Sequence, residues 1–183
     1  YLKKNGYTTI TFDDLEEYVC RGAELPEKPI MLTLDDGYMS NYEFLYPLLK
    51  EMDMKATIFV IGSLMGADTY KDTGIKIYPH FSVENAEEMV ESGVIQIGSH
   101  TFDMHQSEEL ERNSGILKPN MLRPAGMPEE DYIRMVKDDL DKFGELYKNI
   151  ENRQVTLLAY PYGLYDQELT ALLHESGIRG TFT

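Results

Sequence analysis

Two adjacent aspartates, Asp35 and Asp36, close the apolar run Pro29 to Leu34 and are followed at once by Gly37. Side-by-side carboxylates at the end of an apolar strand make each other harder to ionise, and a cation between them resolves the conflict. A second apolar run, Val94 to Gly98, ends in Ser99-His100-Thr101 and is followed by His105. Imidazoles combined with a carboxylate are a zinc-type donor set, so the two motifs suggest one Asp/His metal site. A third run, Val155 to Leu158, leads into Ala159-Tyr160-Pro161-Tyr162-Gly163, a rigid, glycine-ended turn able to present backbone N–H groups to a ligand.

His100 and His105 are five residues apart, which suits neither one helical face nor one strand face, so the chain must turn between them. Asp103, inside that turn, suits either support of a ligand imidazole or polar filling. Of the other two histidines, His80 precedes a helix start where it could reach the same rim, and His174 falls in a helical pattern as a surface or structural residue. Tyr38, Tyr160 and Tyr162 are candidates to stack on a ligand ring, against the plainer reading of core or rim aromatics.

The elements that must bring these motifs together alternate in type. Short apolar strands are expected at Ile30–Leu34, Ala56–Ile61, Val94–Gly98, Val155–Tyr160 and Ile178–Phe182, as in a buried parallel sheet. Helices lie between them. Ser40 and Glu43 have capping-box spacing ahead of Phe44, Leu45, Leu48, Leu49 and Met52. Thr11 with Asp14 marks an earlier start, and Ser82 caps a helix stopped by Gly93. A longer helix runs from Glu129 toward Ile150 on Ile133, Val136, Leu140, Phe143 and Tyr147, and Asp166 starts another that Gly177 ends. Segments Ser63–Phe81 and Gln106–Met127 show neither periodicity and read as loops, the second directly after the histidines. In parallel α/β architectures the C-terminal strand ends share one rim, so all three motifs would face one pocket.

The 183 residues suit a single domain over 1–183. A start on Tyr and a strand-like end at Gly180–Thr183 read as a piece excised from a longer chain. The net charge of -15 excludes a phosphate-backbone partner. Acidic clusters at Glu84–Glu91, Glu129–Asp131 and Asp138–Asp141 read as solvated helix faces. No stretch is long and apolar enough for a membrane span. Cys20 is the single cysteine and reads as a small packed side chain.

Thr33-Leu34-Asp35-Asp36-Gly37 and Ser99-His100-Thr101 through His105 resemble the first two motifs of the polysaccharide deacetylases, the nodulation-protein-B homology domain or carbohydrate esterase family four. The histidine spacing, with Gly37-Tyr38, Asn41-Tyr42 and Lys55 to Phe59, is similar to the branch acting on exopolysaccharide poly-N-acetylglucosamine and to clostridial and bacillar surface deacetylases. The resemblance implies an incomplete, distorted (β/α) barrel with mostly parallel strands, truncated at its C-terminus. It implies a divalent metal, usually Zn2+ with Co2+, Ni2+ or Mn2+ as alternatives, held by Asp36, His100 and His105. Asp35 would be the general base acting on a metal-activated water. The backbone N–H near Tyr162 would stabilise the oxyanion, and Tyr160, Pro161, Tyr162 and Gly163 would line the substrate. The implied reaction removes N-acetyl groups from a polysaccharide containing N-acetylglucosamine, at the bacterial cell envelope or outside the cell; the oligomeric state is left open, with a monomer favoured. An O-acetyl esterase and a catalytically impaired glycan-binding module are the alternatives. The sequence departs from the family where Ala159 replaces an arginine that orients the catalytic aspartate, and the family's histidine general acid, expected beyond Thr183, has no clear substitute.

Overall fold

Side-chain alternation along the strands builds two layers of core. The structure, a computed structural model, describes residues 1–111 and 115–183; residues 112–114 of the expected loop Gln106–Met127 lie outside the described residues. β1 (Thr8–Thr9) pairs with β2 (Pro29–Ile30), while β3 (Thr33–Leu34), β4 (Ala56–Val60), β5 (Ile95–Ser99), β6 (Leu157–Ala159) and β7 (Gly180–Phe182) form a five-stranded sheet. Every pairing between these named strands is parallel, and the five strands stand in chain order. A sheet whose order never reverses curls toward a barrel rather than opening into a doubly wound layer. The expected incomplete barrel is what forms.

Ala56, Ile58 and Val60 of β4 and Ile95 and Ile97 of β5 face outward onto helices α2 (Tyr46–Glu51) and α3 (Val83–Glu91). Leu158 of β6 does the same onto α4 (Glu129–Tyr147) and α5 (Gln167–Glu175). The alternate residues Phe59, Leu157 and Ala159 meet inside the barrel with Phe12 and Phe182. Gly98 is required there, because a Cβ would lie 2.6 Å from the Phe59 ring. The base of the barrel is closed by α1 (Phe12–Arg21), whose start is tied to β5: Gln96 accepts from the Phe12 N–H at 3.0 Å and donates to Asp13 at 2.8 Å.

The capping signals at Thr11, Ser82 and Asp166 form as expected, and Gly93 and Gly177 carry positive φ beyond their helices. Four expectations are corrected. The run Ile30–Leu34 is two strands, because it changes partners: the Ile30 carbonyl accepts from Ile10 and the Leu32 carbonyl from Thr57. Ser40 forms no capping box, since the chain enters α2 through a π-turn, Asn41–Leu45, that shifts the helical phase. Asn41, Tyr46 and Leu49 are buried as a result, while Phe44 and Leu48 are exposed. Cys20 is exposed rather than packed, because α1 buries none of its residues fully. Finally, β6 and β7 each start two residues later than expected, at Leu157 and at Gly180.

Candidate metal centre

The three motifs converge just beyond β3, β5 and β6. Asp36 Oδ1 lies 3.6 Å from His100 Nε2 and 3.9 Å from His105 Nε2. The three ligand atoms are all within 4.8 Å of one another. Zn–N bonds of ~2.0–2.1 Å and Zn–O bonds of ~2.0–2.2 Å place two donors of one tetrahedral ion roughly 3.3–3.6 Å apart, so a small inward shift completes the site. His100 is buried, and its Nδ1 sits 2.9 Å from the Ala159 carbonyl. That carbonyl can only accept, so Nδ1 donates to it and Nε2 is left directed at the Asp36 carboxylate, the orientation of a metal-ligating imidazole. Two imidazoles and a carboxylate gathered around one point are a donor set that fits a divalent metal.

His105 is held neutral by its surroundings. Burial pushes its imidazole below the ordinary value, and neighbouring His100 pushes the same way against the attraction of Asp36. A neutral imidazole is the ligating form.

The backbone is strained where the three motifs leave their strands. Among the described residues, five non-glycine positions have positive φ, and three of them are Asp36 at 70°, Thr101 at 72° and Tyr162 at 58°. Such conformations cost of order 1–3 kcal/mol each and persist only where surrounding contacts over-determine them. For the histidine turn those contacts are on view. Ser99 Oγ accepts from the Thr101 N–H at 3.0 Å, and Thr101 Oγ1 accepts from the Met104 N–H at 3.0 Å. Asp139, 4% exposed on α4, accepts from the Phe102 and Asp103 N–H groups at 2.7 Å each. Thr101 is thus a turn-former. Asp103 fills the turn rather than supporting an imidazole: its carboxylate pairs with Lys71 at 2.9 Å and accepts from Ser63 and Gln106.

Asp139 is the residue the sequence reading missed, having been assigned to a solvated acidic face. Its signal was present, because Tyr132, Val136, Asp139, Phe143 and Tyr147 are all buried at helical spacing, with a carboxylate where an apolar residue belongs. Burial raises its pKa, against the lowering by its two backbone hydrogen bonds.

Asp35 is exposed, next to Asp36 in the chain and close enough to His105 to act on it electrostatically. Tyr38 also belongs to the site. Its phenol is pushed up to about 12, by burial first and by the nearby Asp36 carboxylate second. The Tyr38 ring lies 5.0 Å from His80, which is buried and lines the cleft but lies against Tyr38 rather than at the cluster. His174 is exposed on α5, as expected. A cleft of about 510 Å³ opens over Asp36 and His105, bounded by Tyr38, Tyr78, His80 and Tyr162.

Of the four residues expected at the substrate, Tyr162 is 65% exposed with its ring 4.6 Å from that of His105, and Gly163 is half-buried. Tyr160 and Pro161 are buried, and the Tyr160 hydroxyl is 3.2 Å from Thr170 on α5, so neither side chain faces the cleft. The Ala159 side chain lies inside the barrel; its backbone carbonyl serves the site.

Residues 22–181 match the polysaccharide deacetylase family. The chain is 31% identical, over 97% of its length and 52% of the relative, to YxkH of Bacillus subtilis, a protein named for the same family. It is 27% identical over its whole length, and 57% of the relative, to the poly-β-1,6-N-acetyl-D-glucosamine N-deacetylase of Staphylococcus aureus. The structure of IcaB from Ammonifex degensii superposes with a TM-score of 0.79 and 28% identity, over all of this chain and 71% of the other. The chain thus spans about half the length of these curated relatives. It belongs to the polysaccharide deacetylase family.

Proposed function

We propose, from membership of this family, that the chain removes N-acetyl groups from a polymer of N-acetylglucosamine at or outside the bacterial cell surface. The Staphylococcus aureus relative is named for that reaction on the β-1,6-linked polymer. The observation that carries the reading is the meeting of Asp36, His100 and His105 around one point, with Asp35 adjacent in the chain and free of that cluster. Among the described residues, no helix is long and apolar enough to cross a membrane.

Asp36, His100 and His105 would hold the metal, most simply Zn2+ given a donor set of two imidazoles and one carboxylate. A divalent cation there supplies Lewis acidity, making water a better nucleophile near neutral pH and polarising the acetyl carbonyl. The protein's own groups do the rest. Asp35 takes the proton of the attacking water, a role open to it because it is not spent as a ligand. Tyr162, held at a φ of 58°, offers its backbone N–H to the oxyanion, an interaction stronger in the transition state than with bound substrate. The exposed ring of Tyr162 and the neighbouring Gly163 shape the wall on which a sugar lies. The Ala159 carbonyl fixes the His100 tautomer, a duty of the backbone that survives the absence of an arginine side chain at this position.

The test is amine and acetate formation from N-acetylglucosamine oligomers with added Zn2+ or Co2+, comparing the chain with Asp35→Asn. Release by the parent and loss in the variant support the proposal. Equal release by both contradicts it.

A further inference from the structure

A second cavity of about 410 Å³ adjoins the metal cleft, and Tyr38 and Tyr78 wall both. Its other walls are Met39, Ser40, Glu43 and Pro79. The volume is within the ~300–1,000 Å³ usual for small-molecule sites. Tyr78 is 80% exposed and stands edge-on to Tyr38, with ring centroids 6.2 Å apart, so it projects between the two cavities as an open aromatic face. Aromatic faces of this kind suit the apolar face of a pyranose.

Charge gives the second cavity a preference. Glu43 is the one charged side chain among its walls, is exposed, and forms no ion pair among the described residues. It stands in the π-turn Asn41–Leu45, a helix irregularity of the type that gathers at functional sites. In the metal cleft, by comparison, the one lining carboxylate, Asp36, belongs to the donor cluster, and Lys76 is paired with Asp68 at 2.6 Å.

We propose that this second cavity is a subsite for a glucosamine residue that has already lost its acetyl group, with its ammonium paired to Glu43 and its ring against Tyr78. The inference rests on the proposed reading of the metal cleft. The reaction turns a neutral amide into an ammonium, so a subsite that reads the product charge makes the chain work beside units it has already processed. An exposed ammonium–carboxylate pair contributes ~0.2–1 kcal/mol, which corresponds to a preference of roughly 1.4–5-fold.

Two measurements decide it. With Asp35→Asn protein to prevent turnover, binding of β-1,6-linked tetraglucosamine and of tetra-N-acetylglucosamine is titrated calorimetrically at low and high salt, each with and without Glu43→Gln. The expected result is roughly 1.4–5-fold tighter binding of the glucosamine tetramer, a difference that Glu43→Gln and high salt both remove. A preference that persists in Glu43→Gln comes from the overall net charge of -15 rather than from this cavity, and overturns the proposal; so does equal binding of the two tetramers. Mass-spectrometric mapping of tetramers carrying one glucosamine then follows the next acetyl lost. Adjacent removal by the parent and dispersed removal by Glu43→Gln support the subsite, and identical patterns overturn it. If the parent forms no amine from any oligomer, the proposed function fails while the binding titration still decides the subsite.

Discussion

Replacing Asp139 by Asn perturbs metal binding from a distance, because Asp139 touches no ligand side chain and holds only the turn that delivers them. Its two oxygens accept from consecutive N–H groups, Phe102 and Asp103, at 2.7 Å each. Asn keeps one acceptor and sets an amide N–H against the other donor, leaving a buried N–H without a partner. Hydrogen bonds to charged groups contribute ~1.5–3 kcal/mol each, and part of that is offset by the cost of burying the carboxylate. A net loss of about 2–4 kcal/mol follows, or a fall in Tm of roughly 5–15 °C for a domain of this size. The turn carries His105 away from β5, so loosening it is expected to weaken Zn2+ binding by about 10–100-fold, the usual cost of losing a partner behind a ligand. Val136→Ala is the control: Val136 is buried on the same helix and makes no hydrogen bond to the turn, so this variant loses stability by a cavity while keeping Zn2+ affinity. Zn2+ titration against a chelator on folded protein, beside thermal unfolding, separates the two effects. Asp139→Asn binding Zn2+ within twofold of the parent would refute the positioning argument.

Gly98→Ala pushes a Cβ to 2.6 Å from the Phe59 ring and is expected to cost ~1–3 kcal/mol by overpacking, with Phe59→Leu in the same chain restoring much of it in thermal unfolding. Asp35→Asn is expected to lower turnover by ~10²–10⁴-fold with Zn2+ affinity unchanged, since Asp35 lies outside the donor cluster. Tyr162→Gly keeps the backbone N–H and suits a φ of 58°, so steady-state kinetics should show kcat largely retained and KM raised as the sugar wall is lost. Burial lowers the His80 pKa against the pull of Asp36, so the folded state holds that proton less tightly than the unfolded chain. Its stabilising contribution is therefore present above the unfolded value of ~6.5 and is lost as pH falls through the depressed folded value. His80→Phe should flatten that part of the metal-free stability profile below about pH 6.5, read by urea unfolding.

The barrel and the cluster of Asp36, His100 and His105 were legible because each leaves a local mark. Parallel strands buried on both faces read as short apolar runs, and a carboxylate or imidazole just beyond one is conspicuous. The misreadings have a common cause in contacts made across the chain. Nothing local in Pro29 to Leu34 shows that Ile30 bonds to Ile10 and Leu32 to Thr57. The π-turn at Asn41–Leu45 altered which side of α2 faces inward, a phase change that spacing rules assume away. Tyr160 stands in the motif but turns to Thr170, because the buried positions of β6 set its side-chain direction. Asp139 lies 34 residues beyond His105 in the chain and reaches the histidine turn through packing of α4 on the barrel. An acidic neighbourhood at Asp138–Asp141 hid it, although the helical phase put it among buried residues.

The central claim is a single cation site made by Asp36, His100 and His105, and direct titration of metal-stripped protein with Zn2+ tests it. The account predicts one ion per chain, lost in Asp36→Ala, His100→Ala and His105→Ala and kept in Asp35→Asn. One ion bound as tightly by the three alanine variants as by the parent would contradict it.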